Sequence, residues 1–273
     1  MKFLLRLYRV VNQLSLDVAC GAMVCAAFFG HILHVQIQSY TLGLLGLTVW
    51  IIYTMDHLLD VRKLKQEALS QRYKFYHQNF RKLCIASVIS MLIAIWLILL
   101  VQSAVVKWGL VLTVVVAVYL GVQQKLGLVK ELVISILYTA GILLPSMSMT
   151  SMDASGNEYI LILFFAQTAF INLILFSWYD WKQDLSDSQS SLVTFMGRSR
   201  AKKILAISFL IQIIFFSTLI LFSTFRMEAL VLVVMNAVLF LLYLFPTKFS
   251  ANGYYRLIGD IVFLSPLPYL LLR

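Results

Sequence analysis

Charged side chains are scarce in this chain of 273 residues. They make up 12% of the sequence, whereas hydrophobic residues make up 61%, and the mean hydropathy is +0.89. A water-soluble domain cannot present such a composition to solvent. Only three cysteines occur, and Cys20, Cys25 and Cys84 lack the paired spacing of metal ligands, which predicts a packing role. The composition therefore predicts an integral membrane protein.

Segments of alternating polarity, which would indicate the strands of a β-barrel, are also missing. The apolar segments are continuous runs, which favours an all-α fold of transmembrane helices. Because one crossing takes about 20 residues, the chain has room for about nine spans in a single helical domain over residues 1–273. We place the spans near residues 15–37, 40–55, 83–103, 105–122, 129–150, 159–178, 203–224, 228–245 and 257–272.

Acidic residues are few, with 12 Asp and Glu against 22 Lys and Arg. Basic residues collect on the cytoplasmic side of membrane proteins. If the N-terminus is cytoplasmic, all of them lie on that side except Lys107, Arg226 and Arg273. We therefore expect a cytoplasmic N-terminus and a multi-pass protein of the bacterial inner (plasma) membrane. Topology and anionic lipid headgroups account for the net charge of +10, so no nucleic-acid partner is expected.

Two acidic pairs with the same spacing end two of the predicted spans. Asp56 and Asp60 lie in YTMDHLLD, and Asp180 and Asp184 lie in WYDWKQD. The predicted topology places both pairs on the cytoplasmic side, in connections at about 56–82 and 179–202. Helical residues four apart are neighbours, so each pair brings like charges together, and a divalent cation would relieve the repulsion. Mg²⁺ suits carboxylates combined with substrate phosphates, which predicts a phosphorylated or diphosphorylated substrate.

Basic residues near the acidic pairs are candidates to hold phosphate oxygens. These candidates are Arg62, Arg72, Lys74, Lys125 and Lys182. The alternative is that they are ordinary cytoplasmic charges and that the carboxylates cap loops or pair with them. Two acidic pairs on one membrane face favour the cation site.

With these motifs the chain resembles the UbiA superfamily of intramembrane prenyltransferases. Asp56 and Asp60 match the aspartates of the first family motif, approximately NxxxDxxxD, although its Asn falls at Ile52. The Arg-Pro-Leu that often follows this motif is absent. Lys125 matches a basic residue that follows a Tyr between helices four and five. The register of the second family motif is met by Asp180, Asp184, Ser191, Leu192, Met196 and Gly197.

The resemblance implies nine transmembrane helices and Mg²⁺-dependent transfer of an isoprenoid group. The donor would be an allylic polyprenyl diphosphate, and the acceptor would be lipophilic and often aromatic. The four motif aspartates would act as catalytic metal ligands, and the five basic residues named above would hold the diphosphate. Asp187, three residues beyond Asp184, is a further candidate ligand that would compensate for the missing Asn if the helix continues, and the alternative is that it is a solvated loop acid.

Two other functions remain open from the sequence. Ile52 and the missing Arg-Pro-Leu are consistent with a catalytically inactive UbiA-fold protein that binds a lipid or a partner. Acidic pairs in a helical bundle also occur in ion-coupled transporters. That class typically has Gly- or Pro-broken spans in corresponding halves of the chain, and the sequence shows no such pair.

Overall fold

The computed structural model describes residues 2–63, 71–150, 156–187 and 189–272. Over these residues the chain is helical and contains no strand. Residues 64–70 of the first predicted connection and the basic residue Arg273 lie outside this part. The α-helices are α1 Lys2–Gln13, α2 Leu16–Ile32, α3 Ser39–Lys63, α4 Gln71–Gln78, α5 Phe80–Ile98, α6 Ser103–Val122, α7 Lys130–Met149, α8 Gly156–Ser186, α9 Leu192–Met196, α10 Arg198–Phe222, α11 Arg226–Leu244, α12 Pro246–Ser250, α13 Tyr254–Ile261 and α14 Pro266–Leu271.

Seven helices in the described part of the chain are long and apolar enough to cross a membrane. They are α3, α5, α6, α7, α8, α10 and α11. Helices α1 and α2 count as an eighth span if they are taken together, but they meet at a bend of 77°. These helices support the prediction of an all-α integral membrane protein. The membrane side of the N-terminus stays a prediction.

The predicted ninth span, near residues 257–272, is not a continuous helix. Helix α13 ends at Ile261, a 3₁₀ segment covers Val262–Leu264, and α14 begins at Pro266. Proline lacks the amide hydrogen that an α-helix needs and crowds the preceding turn, which explains the break before Pro266. The count of nine spans is therefore not confirmed by the described helices.

Helix α8 is the centre of the bundle. It packs against α7, α10 and α11, and side chains such as Phe165 and Ile171 are fully buried. Helices α5 and α6 differ, because most of their apolar side chains are exposed, for example Trp96 and Val114. Exposed apolar faces of this size are typical of helices that contact lipid. The hydrophobic core therefore forms around α8, and α5 and α6 lie at its edge.

The bend between α1 and α2 is fixed by hydrogen bonds to the C-terminal part of the chain. Ser15, at the bend, has a left-handed backbone with φ of 54°. The Asn12 amide donates to Oδ2 of Asp17 and to Oδ2 of Asp260, both at 2.6 Å. The Tyr8 hydroxyl donates to the Leu257 carbonyl at 2.9 Å. Helix α1 is thereby held against α13.

Helix α2 approaches the C-terminal 3₁₀ segment closely at Gly21. A Cβ atom at position 21 would lie 2.9 Å from Cβ of Phe263, closer than real Cβ contacts. One turn further along, the Cys25 thiol donates to the Phe263 carbonyl at 3.2 Å. Glycine at 21 therefore allows the contact that holds the C-terminal segment in place.

We expect Gly21→Ala to lower the stability of the protein by about 1–3 kcal/mol, because the added methyl group forces α2 and the 3₁₀ segment apart. Thermal unfolding in detergent measures the effect. Gly121→Ala is the matched control, since a Cβ there meets no atom within 4 Å. Equal melting temperatures for the two variants would contradict the close packing at Gly21.

Candidate active site

All four motif aspartates lie inside helices. Helix α3 continues to Lys63 and α8 continues to Ser186, beyond the apolar part of each span. The predicted connections at 56–82 and 179–202 therefore begin as helix. Each pair occupies one helical face, as the spacing of four predicts.

Three of the four aspartates line one cavity of about 230 Å³, which we name the polar cavity. Asp56 and Asp60 reach it from α3, and Asp184 reaches it from α8. The other charged or strongly polar side chains that line it are His57, Arg72, Tyr73, Gln123, Lys130, Glu131, Asn172, Gln189, Arg256 and Asp260. The structure thus brings the two sequence motifs together at one end of the bundle.

Asp180, the fourth aspartate, is directed towards α13 and does not line the polar cavity. A terminal nitrogen of Arg256 lies 2.5 Å from its Oδ2, and the Tyr255 hydroxyl donates to its Oδ1. The Asp180 side chain is 5% exposed, whereas that of Arg256 is 29% exposed and lines the cavity. Both Asp180 oxygens are therefore engaged, and Arg256 is the cation that faces the cavity at this position.

Neutral donors contact the first acidic pair. The Gln123 amide donates to Oδ1 of Asp56, and the Tyr119 hydroxyl donates to Oε1 of Gln123 at 3.1 Å. The Tyr73 hydroxyl donates to Oδ2 of Asp60 at 3.2 Å. Burial, followed by the charges of Asp60 and Asp56, raises the pKa of Tyr73 well above its ordinary value, so this hydroxyl remains a donor.

The position that departs from the family motif lies at the edge of the polar cavity. Ile52 lines this cavity and offers no ligand. A carboxamide is nevertheless present beside Asp56, because the 3₁₀ segment Gln123–Lys125 brings in Gln123. No sequence pattern predicts this contact, since Asp56 and Gln123 are 67 residues apart in the chain.

Only one of the five predicted phosphate ligands lines the polar cavity. Arg72 on α4 is buried, donates to the Asn12 carbonyl and Asn12 Oδ1 at 3.0 and 3.1 Å, and lies 3.6 Å from Asp260. Lys130 and Arg256 are the other two cations in the lining, and neither was among the predicted ligands. Five predicted residues lie outside the lining, namely Arg62, Lys74, Lys125, Lys182 and Asp187.

The connection after Asp184 is held over the polar cavity by Glu131. Both Glu131 oxygens accept from the Leu192 amide at 3.0 Å, and the Ser177 hydroxyl donates to Oε1 at 2.7 Å. Ser191 caps α9 in a reciprocal hydrogen-bonding arrangement with Thr194. Because of these contacts Ser191 and the two residues before it line the cavity.

A second cavity, of about 210 Å³, extends along α3, α6 and α7, and we name it the apolar cavity. Its lining on α3 runs from Tyr53 to Thr41, about 18 Å along a helix. Nearly all of its lining side chains are hydrophobic. Residues shared with the polar cavity are Ile52, Tyr53, Tyr119, Ile134 and Tyr138. The polar cavity and the apolar cavity therefore adjoin at these five shared residues, three of which are tyrosines, and we name this contact the junction.

Comparison with known proteins supports the fold. A solved structure of digeranylgeranylglyceryl phosphate synthase in membranes superposes with a TM-score of 0.54, at 14% sequence identity, over 97% of each chain. No family model and no curated protein matches this chain. The likeness therefore defines the class of protein by fold alone, as an all-helical membrane protein with the architecture of that synthase.

We expect Arg256→Met to destabilise the protein by about 3 kcal/mol, because it leaves the Asp180 carboxylate buried without its cation. The double variant Asp180→Asn with Arg256→Met should recover much of that loss, since an amide replaces the unpaired charge. Thermal unfolding of the single and double variants measures the coupling. Lys182→Met removes an exposed cation and serves as the control. Additive effects of the two substitutions would show that the pair does not stabilise the fold.

Proposed function

We propose that this chain is a UbiA-type intramembrane prenyltransferase. It would transfer an isoprenoid group from an allylic polyprenyl diphosphate to a lipophilic acceptor, in a bacterial inner membrane with the N-terminus on the cytoplasmic side. The observation that carries the proposal is the junction of the polar cavity, lined by Asp56, Asp60 and Asp184, with the apolar cavity. A substrate with a charged head and a long apolar tail matches this arrangement.

The donor set of the polar cavity suits Mg²⁺. Among the described residues no three His, Cys, Asp or Glu side chains are grouped closely enough to hold a metal ion by themselves. Mg²⁺ commonly takes one or two carboxylates and completes its shell with water and phosphate oxygens. One or two carboxylates among Asp56, Asp60 and Asp184 would hold it together with phosphate oxygens and water, whereas Asp180 is engaged by Arg256. Bound Mg²⁺ would neutralise charge on the diphosphate.

The residues of the chain have separate tasks in this transfer. The bond between C1 of the prenyl group and the diphosphate oxygen breaks, a bond forms between C1 and the acceptor, and the acceptor proton passes to a cavity carboxylate or water. Arg72, Lys130 and Arg256 would hold the departing diphosphate. The faces of Tyr53 and Tyr119 at the junction would stabilise positive charge on the allylic carbons. The apolar walls keep water from this carbocation.

A catalytically inactive lipid-binding protein is the second candidate. It rests on Ile52 at the position of the motif Asn and on the engagement of Asp180 by Arg256. An ion-coupled transporter is not favoured, because the carboxylates lie near the ends of α3 and α8, whereas transporter sites lie near the middle of the membrane.

The first experiment measures binding of inorganic pyrophosphate to the purified protein in lipid nanodiscs, with and without MgCl₂. We expect binding that requires Mg²⁺ and that weakens about tenfold or more in Asp60→Asn and in Asp184→Asn, since each loses a carboxylate ligand. Isothermal titration calorimetry gives both affinities. Asp187→Asn is the matched control, because Asp187 does not line the polar cavity. Pyrophosphate binding that is indifferent to Mg²⁺ and to both substitutions would refute the proposed donor site.

The second experiment tests whether the apolar cavity holds the tail. Gly109 lines this cavity about 15 Å along α6 from Tyr119, and a Cβ at 109 meets no atom within 4 Å. We expect Gly109→Phe to fill the cavity and to weaken binding of the unreactive geranylgeranyl thiolodiphosphate about tenfold or more, through lost apolar burial. The short dimethylallyl thiolodiphosphate should bind unchanged.

Gly121→Phe is the matched control for this experiment. Gly121 lies on the same helix, also has open space at its Cβ position, and lines neither cavity. If both Phe variants bind the long analogue like the unmodified protein, the tail lies elsewhere.

A further inference from the structure

The two acidic pairs differ in the groups that contact them. Their spacing predicts one divalent cation for each pair, because each brings like charges together. On the second pair, a terminal nitrogen of Arg256 lies 2.5 Å from Oδ2 of Asp180, so the protein itself supplies a cation there. Asp56, on the first pair, accepts a hydrogen bond from the neutral Gln123 amide and belongs to neither ion pair found at this end of the described chain. The first pair therefore has the greater need of a metal ion.

Asp180 is closed to a metal ion. Its side chain is 5% exposed, Oδ2 contacts Arg256, and Oδ1 accepts from the Tyr255 hydroxyl. A metal ion must touch a ligand oxygen directly, so it would have to displace both donors. The Tyr255 ring stacks on Tyr179, with centroids 4.3 Å apart and planes at 5°, and the Tyr179 hydroxyl donates to the Leu242 carbonyl at 2.6 Å. The surroundings of Asp180 therefore suit the guanidinium that is already there.

Arg256, in contrast, is open to a ligand. Its side chain is 29% exposed and lines the polar cavity. A guanidinium carries five N–H donors, and the hydrogen bond to Asp180 comes from one terminal nitrogen. Its charge is permanent, and its forked donors fit phosphate oxygens. Arg256 can therefore contact Asp180 and an anion in the polar cavity at the same time.

The packing of α13 against α8 fixes the position of Arg256. Its Cζ lies 5.6 Å from the centre of the Phe176 ring, which is within the range of a cation–π contact. Gly259 follows three residues later on α13, and a Cβ there would lie 2.5 Å from Cε1 of Phe176. Glycine at 259 thus permits the close approach of the two helices. The guanidinium is held at the cavity wall before any ligand binds, as an electrostatic binding group should be.

From these observations we propose that Arg256 takes the place of a metal ion at the second acidic pair, so that a bound diphosphate is held by one Mg²⁺ and this guanidinium. The inference rests on the proposed function and specifies the number of metal ions. Asp180 is then a positioning residue for Arg256. The one Mg²⁺ binds to carboxylates that line the polar cavity, which Asp180 does not.

Equilibrium dialysis counts the ions. The protein in nanodiscs of zwitterionic lipid is dialysed at high salt against MgCl₂ and radiolabelled inorganic pyrophosphate, with empty nanodiscs subtracted. The excess of magnesium and of label in the protein chamber gives the number of Mg²⁺ ions per bound pyrophosphate. We expect one ion in the unmodified protein. Two ions would overturn the inference.

Arg256→Gln removes the cation and keeps the Asp180 carboxylate. We expect the ratio to rise to two Mg²⁺ per pyrophosphate, because Asp180 loses the partner that kept a metal ion away. Lys182→Met is the matched control, since Lys182 does not line the polar cavity, and it should leave both the ratio and the affinity unchanged. A ratio of one in folded Arg256→Gln would contradict the replacement of a metal ion by Arg256.

The double variant Asp180→Asn with Arg256→Met decides the matter if the single variant does not fold. It contains neither the buried carboxylate nor its cation. We expect it to keep one Mg²⁺ per pyrophosphate and to bind pyrophosphate about tenfold or more weakly, through the lost hydrogen bonds of a charged group. Melting temperature identifies the folded variants. Unchanged pyrophosphate affinity in the double variant would show that Arg256 serves the fold alone.

The same dialysis distinguishes failure of this inference from failure of the proposed function. If pyrophosphate binds in a Mg²⁺-dependent manner with two ions, the role of Arg256 is refuted and the donor site stands. If pyrophosphate does not bind to the unmodified protein, the donor site itself is refuted, and the role of Arg256 with it.

Discussion

Carboxylates buried at the end of an apolar bundle must find partners, and this requirement organises the acidic end of the molecule. An ionised group removed from water is costly unless it is paired or hydrogen-bonded. Arg256 on α13 and Tyr73 on α4 meet this need for Asp180 and Asp60. The Leu192 amide, in the connection that leads into α9, meets the same need for Glu131. Connecting segments that carry no apolar span are thus held to the bundle by the acids they contact.

The helices and the meeting of the motifs were predictable from the sequence, whereas two of the three cations that line the polar cavity, Lys130 and Arg256, were not. Continuous apolar runs predict helices, and a spacing of four places Asp56 beside Asp60 on one face. The contact between Asp180 and Arg256 joins residues 76 apart, and it depends on how the broken C-terminal segment packs. Lys130, at the start of α7, lines the cavity and Lys125 does not; Lys125 ends one 3₁₀ segment, and a second one, Gly127–Val129, lies between the two lysines.

Under the proposed function, the junction of the two cavities would let the protein bind the two ends of a substrate by different interactions. Electrostatic interactions are strong where water is excluded, so a diphosphate held by Arg72 and Lys130 would be fixed by charge. A tail in the apolar cavity would be held by burial alone, which depends on the volume available and much less on chemical detail. Under the proposed function, recognition of the head would therefore stay constant while residues such as Gly109 would set the length of the tail.

Ile52 stands at the position where the first motif of the UbiA superfamily has an Asn, and it changes which side chains surround the first acidic pair. It lines both cavities, so its apolar side chain extends the wall of the apolar cavity up to the first acidic pair. A carboxamide still contacts Asp56, but Gln123 supplies it from the end of α6, where the Tyr119 hydroxyl orients it. Tyr119 also lines the junction, so the residue that orients Gln123 beside Asp56 also shapes the space between the two cavities. The polar contact to Asp56 therefore comes from Gln123 at the end of α6, whereas position 52 on α3 contributes an apolar side chain.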